Sequence, residues 1–130
     1  MGPYQNLTVW QKAMVLAEDI YTFTANYPKS ETYGLVSQMR RCVVSIPSNI
    51  AEGYGRATNR DLVHFLHISL GSSNELETQL LLSKKFGYLT EESADMLIQL
   101  NEQVHKMLSS LIYKRTQPSI EPESDLTSKP

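Results

Sequence analysis

The chain has 130 residues, 41% of them hydrophobic and 20% charged, with a formal net charge of −2. That length suffices for one domain with a buried core, and the lack of any uninterrupted apolar run near 18 residues excludes a membrane-spanning helix. Residues 1–115 are charge-balanced and the acidic excess falls in 116–130, where Glu121, Glu123 and Asp125 meet only Lys129. The chain therefore lacks the positive surplus of a non-specific nucleic-acid binder.

The start, Met1 to Trp10, has no basic patch followed by an apolar stretch, so no secretory signal is expected. One cysteine, Cys42, cannot form an internal disulfide and sits among apolar neighbours. Both features point to a reducing, cytoplasmic compartment.

Residues 1–7 are a lead-in containing Pro3. From Thr8, the expected N-cap, Trp10, Ala13, Ala17, Ile20 and Thr24 recur at spacings of three and four, and Asn26-Tyr-Pro28 ends the pattern. This predicts a first helix. A second is expected after Ser30, a good N-cap, with Leu35, Met39, Cys42/Val43, Ile46 and Ile50 as its apolar face. Pro47 interrupts it, removing a backbone donor and clashing with the carbonyl four residues back, at about 3 kcal/mol in a plain helix. Because the stripe keeps its phase through Pro47, the expectation is one helix kinked there rather than two. Gly53-Tyr-Gly55 is its stop, with a left-handed glycine the expected cap.

A third helix is predicted from Thr58 or Asn59 to Phe86-Gly87, with Gly71 tolerated inside it. At ~28 residues it would be ~42 Å long. Its core stripe is Leu62, Phe65/Leu66, Ser69, Ser73, Leu76, Leu80 and Ser83. The fourth is capped by Thr90, with Glu91 and Glu92 complementing the dipole in the first turn. Its stripe is Leu97, Leu100, Val104, Met107 and Leu111, and it closes at Lys114-Arg115. From Thr116 to Pro130 the composition turns to Ser, Pro, Glu, Thr and Lys, and this acidic tail is expected to be disordered. Short connections and no strand-like alternation give an all-α, antiparallel up-down-up-down four-helix bundle over residues 8–115.

The third helix carries a second apolar line. Ile68, Leu82 and Phe86 lie about 200–240° around the helix from Leu62, where a lone bundle should be polar. Three on one line suggest a contact surface rather than scattered exposure. Gly71 and the serines after it would let another backbone come close. The candidate oligomer interface is therefore Ile68, Gly71, Glu75, Leu82 and Phe86.

Reactive constellations are weak. Asp61-x-x-His64 and Glu102-x-x-His105 have the spacing of a di-metal carboxylate bundle, but all four residues face away from the bundle centre. His64 and His67 offer two ligands without a third. Cys42 belongs to the apolar face and has no evident base, and Gly53-x-Gly55 is a helix stop, not a phosphate loop. No cofactor, metal or small-molecule substrate is implied.

Beyond Pro47, Asn49, Glu52 and Arg56 share one helix face. With no reactive partner nearby, this polar cluster reads as structural, with Asn49 and Glu52 contacting protein atoms of a neighbouring helix or subunit. Arg40, Arg41, Arg56 and Arg60 form a candidate patch for an anion or RNA phosphate, given the forked donors of arginine. The competing and preferred reading pairs them with Glu52, Glu75 and Glu77, and the polar residues of Glu75-Leu-Glu-Thr-Gln79 are expected to point off the core.

The segments Leu7-Thr-Val-Trp-Gln-Lys-Ala13, Ser37-Gln-Met-Arg-Arg41, Val44-Ser-Ile-Pro-Ser-Asn-Ile-Ala-Glu-Gly-Tyr-Gly-Arg56, Glu75-Leu-Glu-Thr-Gln-Leu80 and Gly87-Tyr-Leu89 carry a family likeness. Over Tyr4 to Arg115 the chain resembles the four-helix-bundle proteins encoded within intervening sequences of bacterial 23S ribosomal RNA genes. The resemblance implies an up-down bundle assembling into a homopentameric ring. It also implies a likeness in fold to the accessory protein of diversity-generating retroelements, which binds a reverse transcriptase and RNA. It supplies no catalytic residues. The expectation is a non-enzymatic homo-oligomeric interaction or scaffold protein; the alternative is an RNA- or ribonucleoprotein-binding factor using the four arginines.

Overall fold

The structure, a computed structural model, describes residues 3–118. Four helices fill it: α1 (Thr8–Thr24), α2 (Leu35–Tyr54), α3 (Asn59–Phe86) and α4 (Glu91–Thr116). Single 3-10 turns over Tyr4–Asn6 and Lys29–Glu31 precede α1 and α2, and there is no strand among the described residues.

Hydrogen bonds between the helices fix how they run. Between α2 and α3, Ser69 Oγ donates to the Ile46 carbonyl at 2.8 Å, and the Cys42 thiol to the Ser72 carbonyl at 2.9 Å. Rising numbers in one helix meet falling numbers in the other. Between α3 and α4 the pairs are Asn59–Arg115, Ser73–Asn101 and Lys84–Asp95, again in opposite order. Arg40 ties α2 to the end of α1, and Lys12 donates to Gln103 of α4 at 2.8 Å. Each helix thus packs on two neighbours, the arrangement of a bundle.

The long third helix follows its local signals. Thr58 Oγ1 accepts from the Asp61 N–H at 3.1 Å, an N-cap contact. Gly87 has φ 78°, and the Tyr88 N–H returns to the Ser83 carbonyl at 2.9 Å, so a left-handed glycine ends the helix. Thr90 caps α4 in the same way, accepting from Ser93 N–H at 3.0 Å. Helix α2 runs through Pro47 without interruption. The ring of Pro47 is buried and borders an apolar groove with Trp10, Met14 and Ala17, so apolar burial offsets its missing hydrogen bond.

The interior is built on Leu16, Ile20, Met39, Ile46, Ile50, Leu66, Leu76, Leu80, Leu97 and Leu108, all fully buried. Burial of each such side chain contributes roughly 1.5–3 kcal/mol. Small residues let the helices approach. A Cβ on Gly53 would meet Leu62 Cδ1 at 2.9 Å and Phe65 Cβ at 3.1 Å, so glycine is what allows α3 to cross α2 there.

Several expectations need correction. The second helix starts at Leu35, not after Ser30: residues 29–31 form the 3-10 turn, and Glu31 Oε1 accepts the Leu35 N–H at 3.1 Å. Helix α1 begins after Leu7, with Thr8 its first residue rather than its cap. Helix α2 does not end on a left-handed glycine: Gly53 is buried inside it against α3, and Gly55 at its end has φ −90°. The buried lines of α1 and α4 are also rotated. They run Val9, Ala13, Leu16, Ile20, Thr24 and Ala94, Leu97, Asn101, Val104, Leu108, Ile112. Trp10, Ala17, Leu100, Met107 and Leu111 are half-buried beside them. Gln79, expected off the core, is only 4% exposed. Thr116 belongs to α4; the expected disorder of the acidic tail falls otherwise almost wholly outside the described residues.

Candidate functional site

Two outward-facing surfaces hold the residues singled out in the sequence. The first is the outer face of α3. Ile68 and Leu82 are each 37% exposed and Phe86 54%, with Gly71 and Glu75 exposed between them. A Cβ on Gly71 would meet nothing within 4 Å, so the bundle itself does not require glycine there. All five candidate interface residues therefore share one accessible face.

Beside it runs a cleft of about 530 Å³ between α2 and α3, lined by Gln38, Arg41, Cys42, Ser45, Ser72 and Glu75. A polar ladder stitches it: Ser45 and Ser72 hydroxyls lie 2.8 Å apart, and Asn49 Nδ2 donates to the Ser45 carbonyl at 2.8 Å and to its hydroxyl at 3.0 Å. Asn49 thus bonds to protein atoms one turn back on α2 and reaches α3 only through Ser45. Burial, and then the Glu75 carboxylate, push the Cys42 thiol up to about 12. At neutral pH it is a packed thiol that donates to a carbonyl, not a nucleophile.

The second surface is the end of the bundle at the α2–α3 turn. Glu52 and Arg56 form an ion pair at 2.7 Å, both half-exposed. The Arg56 guanidinium also lies 4.7 Å from the centre of the Phe65 ring. Asn49 and Glu52 lie on α2, but the helix ends at Tyr54, so Arg56 does not share their helix face as expected; it folds back from beyond the C-cap to pair with Glu52 alone.

The four arginines do not form one patch. Arg40 is clipped to α1, donating from Nε to Thr24 Oγ1 at 3.0 Å and from Nη2 to the Tyr21 carbonyl at 3.1 Å, with its guanidinium over the Tyr21 ring. Arg41 borders the α2–α3 cleft. Arg56 lies beyond the far end of α2, whose run from Arg40 to Tyr54 alone spans roughly 21 Å at 1.5 Å per residue. What joins Arg56 and Arg60 at their end is Arg115 of α4. It flanks a shallow cleft of about 250 Å³ together with Arg56, Thr58 and Asn59. Sequence spacing could not place it there, because α4 meets the α2–α3 turn only in three dimensions.

Among the described residues no group of three or more His, Cys, Asp or Glu side chains is placed to hold a metal ion. Asp61, His64 and Glu102 are exposed, and the His64 ring packs edge-on against Phe65 at 5.2 Å. Among the described residues no helix is long and apolar enough to cross a membrane.

These helices and surfaces define an all-α four-helix-bundle protein. The chain belongs to the 23S rRNA-intervening sequence protein family, which matches residues 5–110. Among solved structures it is similar to a protein of unknown function from the S23 ribosomal protein family of Bacteroides thetaiotaomicron. The two are 28% identical with a TM-score of 0.74, over 81% of this chain and 98% of that one. No curated protein matches the chain.

Proposed function

We propose that the chain is a non-enzymatic, cytoplasmic, homo-oligomeric scaffold or interaction protein that assembles as a pentameric ring. The observation that carries this reading is the exposed apolar line Ile68, Leu82 and Phe86 on α3, with glycine at position 71 where the bundle needs none. An apolar line rimmed by polar residues is the usual mark of a protein contact. The ring size follows from the family resemblance. Arg41 and Glu75 lie beside the line and form no ion pair among the described residues, which suits pairing across an interface. Light scattering at micromolar concentration tests it. The expected mass is about five times the 14.7 kDa protomer, falling to one protomer in Ile68→Asp. A monomeric native chain, or an Ile68→Asp variant of unchanged mass, would overturn the reading.

A second reading, an RNA- or ribonucleoprotein-binding factor, is supported by Arg56 and Arg115 lining one cleft, with the exposed Arg60 following the cleft's Asn59 in sequence. It predicts binding to ribosomal RNA fragments that weakens as salt rises. Failure to bind at low salt rules it out.

A further inference from the structure

Helix α4 delivers the chain to the same end of the bundle where the α2–α3 turn gathers cations. Asn59 Nδ2 donates to the Arg115 carbonyl at 2.9 Å, and Arg115 Nη1 donates back to Asn59 Oδ1 at 3.4 Å. The last turn of α4 is thereby fastened to the first residue of α3. The Arg115 guanidinium lies 5.7 Å from the Tyr54 ring centre, and Arg56 shares its cleft. Lys114 and Arg60 are both exposed close by in sequence, beside Arg115 and Asn59. Two anions belong to this end: Glu52, held by Arg56 at 2.7 Å, and Asp61 at the start of α3. Arg60, Lys114 and Arg115 form no ion pair among the described residues.

The charge this end lacks follows directly in the sequence. Glu121, Glu123 and Asp125 lie just beyond the described residues and hold the acidic excess of the chain. The helix stops at Thr116, and Gln117, the residue before Pro118, is extended with ψ 145°. Glu121 is five residues past Thr116 and Asp125 nine, so at full extension their reach is about 17 and about 30 Å. Both distances span the end of a single bundle.

We infer that the acidic segment holding Glu121, Glu123 and Asp125 docks in cis on the Arg60–Arg115 end of its own bundle, as a tethered anion over those arginines. A short tether raises the effective concentration of the carboxylates to the order of millimolar, so individually weak ion pairs suffice. Arginine favours such contacts because its forked donors match carboxylates. The contact is electrostatic and partly solvated, so it weakens as the Debye length shrinks from ~10 Å at 0.1 M salt. Its consequence is competition: any outside polyanion must displace the segment to reach the same arginines.

Zero-length carbodiimide coupling in the full chain tests this. Arg60→Lys keeps the charge and supplies an amine that can be coupled to a carboxylate. At 20 mM salt, peptide mass spectrometry is expected to find position 60 joined to Glu121, Glu123 or Asp125. Lys29, far from this end of the bundle, should give no such link. The yield should fall several-fold at 500 mM salt. In a mixture of isotopically light and heavy protein, the links should lie within single chains. No link at low salt, a yield indifferent to salt, equal linkage to Lys29, or links only between light and heavy chains would each overturn the proposal. The light and heavy chains are unfolded and refolded together before coupling, so that any ring holds both and links between subunits are visible as mixed pairs.

Discussion

Ser73 and Asn101 close a two-way clasp across the seam between α3 and α4. Ser73 Oγ donates to Asn101 Oδ1 at 2.9 Å, and Asn101 Nδ2 donates to the Ser73 carbonyl at 2.9 Å. Both residues are buried, among Leu76, Leu97 and Val104 along the same helices. An amide is tolerated in that setting because both ends of it are satisfied.

Removing one half should therefore be felt. Asn101→Ala leaves the Ser73 hydroxyl without its acceptor on α4 and opens a small void, at about 1–3 kcal/mol. The expected readout is a lower urea midpoint with an unchanged slope. A double-mutant cycle with Ser73→Ala should return a coupling of at least about 0.5 kcal/mol, since the two side chains share one contact. Additive effects would show that the clasp contributes packing alone.

Gly53, on α2 facing α3, and Gly71, on the outer face of α3, should respond with opposite sign. At Gly53 a methyl would press on Leu62 Cδ1 at 2.9 Å, on Phe65 Cβ at 3.1 Å and on the Leu62 carbonyl oxygen at 3.2 Å. A backbone oxygen cannot swing away, so Gly53→Ala should destabilise by about 1–3 kcal/mol despite the better helix propensity of alanine. At Gly71 a methyl meets nothing. Gly71→Ala should stabilise the protomer by up to about 1 kcal/mol, measured by thermal melts in an Ile68→Asp background to separate folding from assembly. A gain of stability in Gly53→Ala would mean the α2–α3 crossing is not what selects glycine there.

How much of this was readable beforehand depended on whether the signal was local. The ends of α3 are set by Thr58 and Gly87, whose chemistry acts within four residues, and the observed helix matches them. The phase-preserving stripe across Pro47 likewise depends on α2 alone, and α2 is continuous. The start of α2 was misread because Ser30 looks like a cap, whereas the capping oxygen belongs to Glu31, steadied by Tyr88 from 57 residues away. Asn101 and Gln79 were missed as core residues because polar side chains read as surface until a buried partner is known. Arg40 is close to Arg41 in sequence but is held on α1, whereas Arg115, far off in sequence, shares a cleft with Arg56.

Glu31 should make the start of α2 acid-sensitive. Its carboxylate accepts from the Leu35 N–H at 3.1 Å and from the Tyr88 hydroxyl at 2.8 Å, and these bonds hold it below the ordinary value of 4.5. A depressed folded value means the added stability is complete above about 4.5 and is lost as pH falls through the folded value. The urea midpoint of the native chain should drop more steeply below pH 4.5 than that of Glu31→Gln, which cannot titrate there. Parallel pH profiles would show that the two bonds do not favour the ionised form.

Cys42 should show the reverse dependence, at high pH. Its thiol is buried, donates to the Ser72 carbonyl at 2.9 Å and is pushed up to about 12 by burial first and by Glu75 second, from an ordinary 9.0. The folded state keeps the proton where the unfolded chain releases it. Stability is therefore untouched below about 9 and declines as pH rises toward 12, because the unfolded state binds fewer protons in that window. At pH 8 the native thiol should resist iodoacetamide and react only once urea unfolds the chain. Cys42→Ala should remove the cysteine's share of the decline between pH 9 and 12, measured against the native chain in parallel denaturant titrations. Rapid alkylation of the folded protein at pH 8 would show that the α2–α3 cleft exposes the sulfur as a thiolate, against the geometry that buries it.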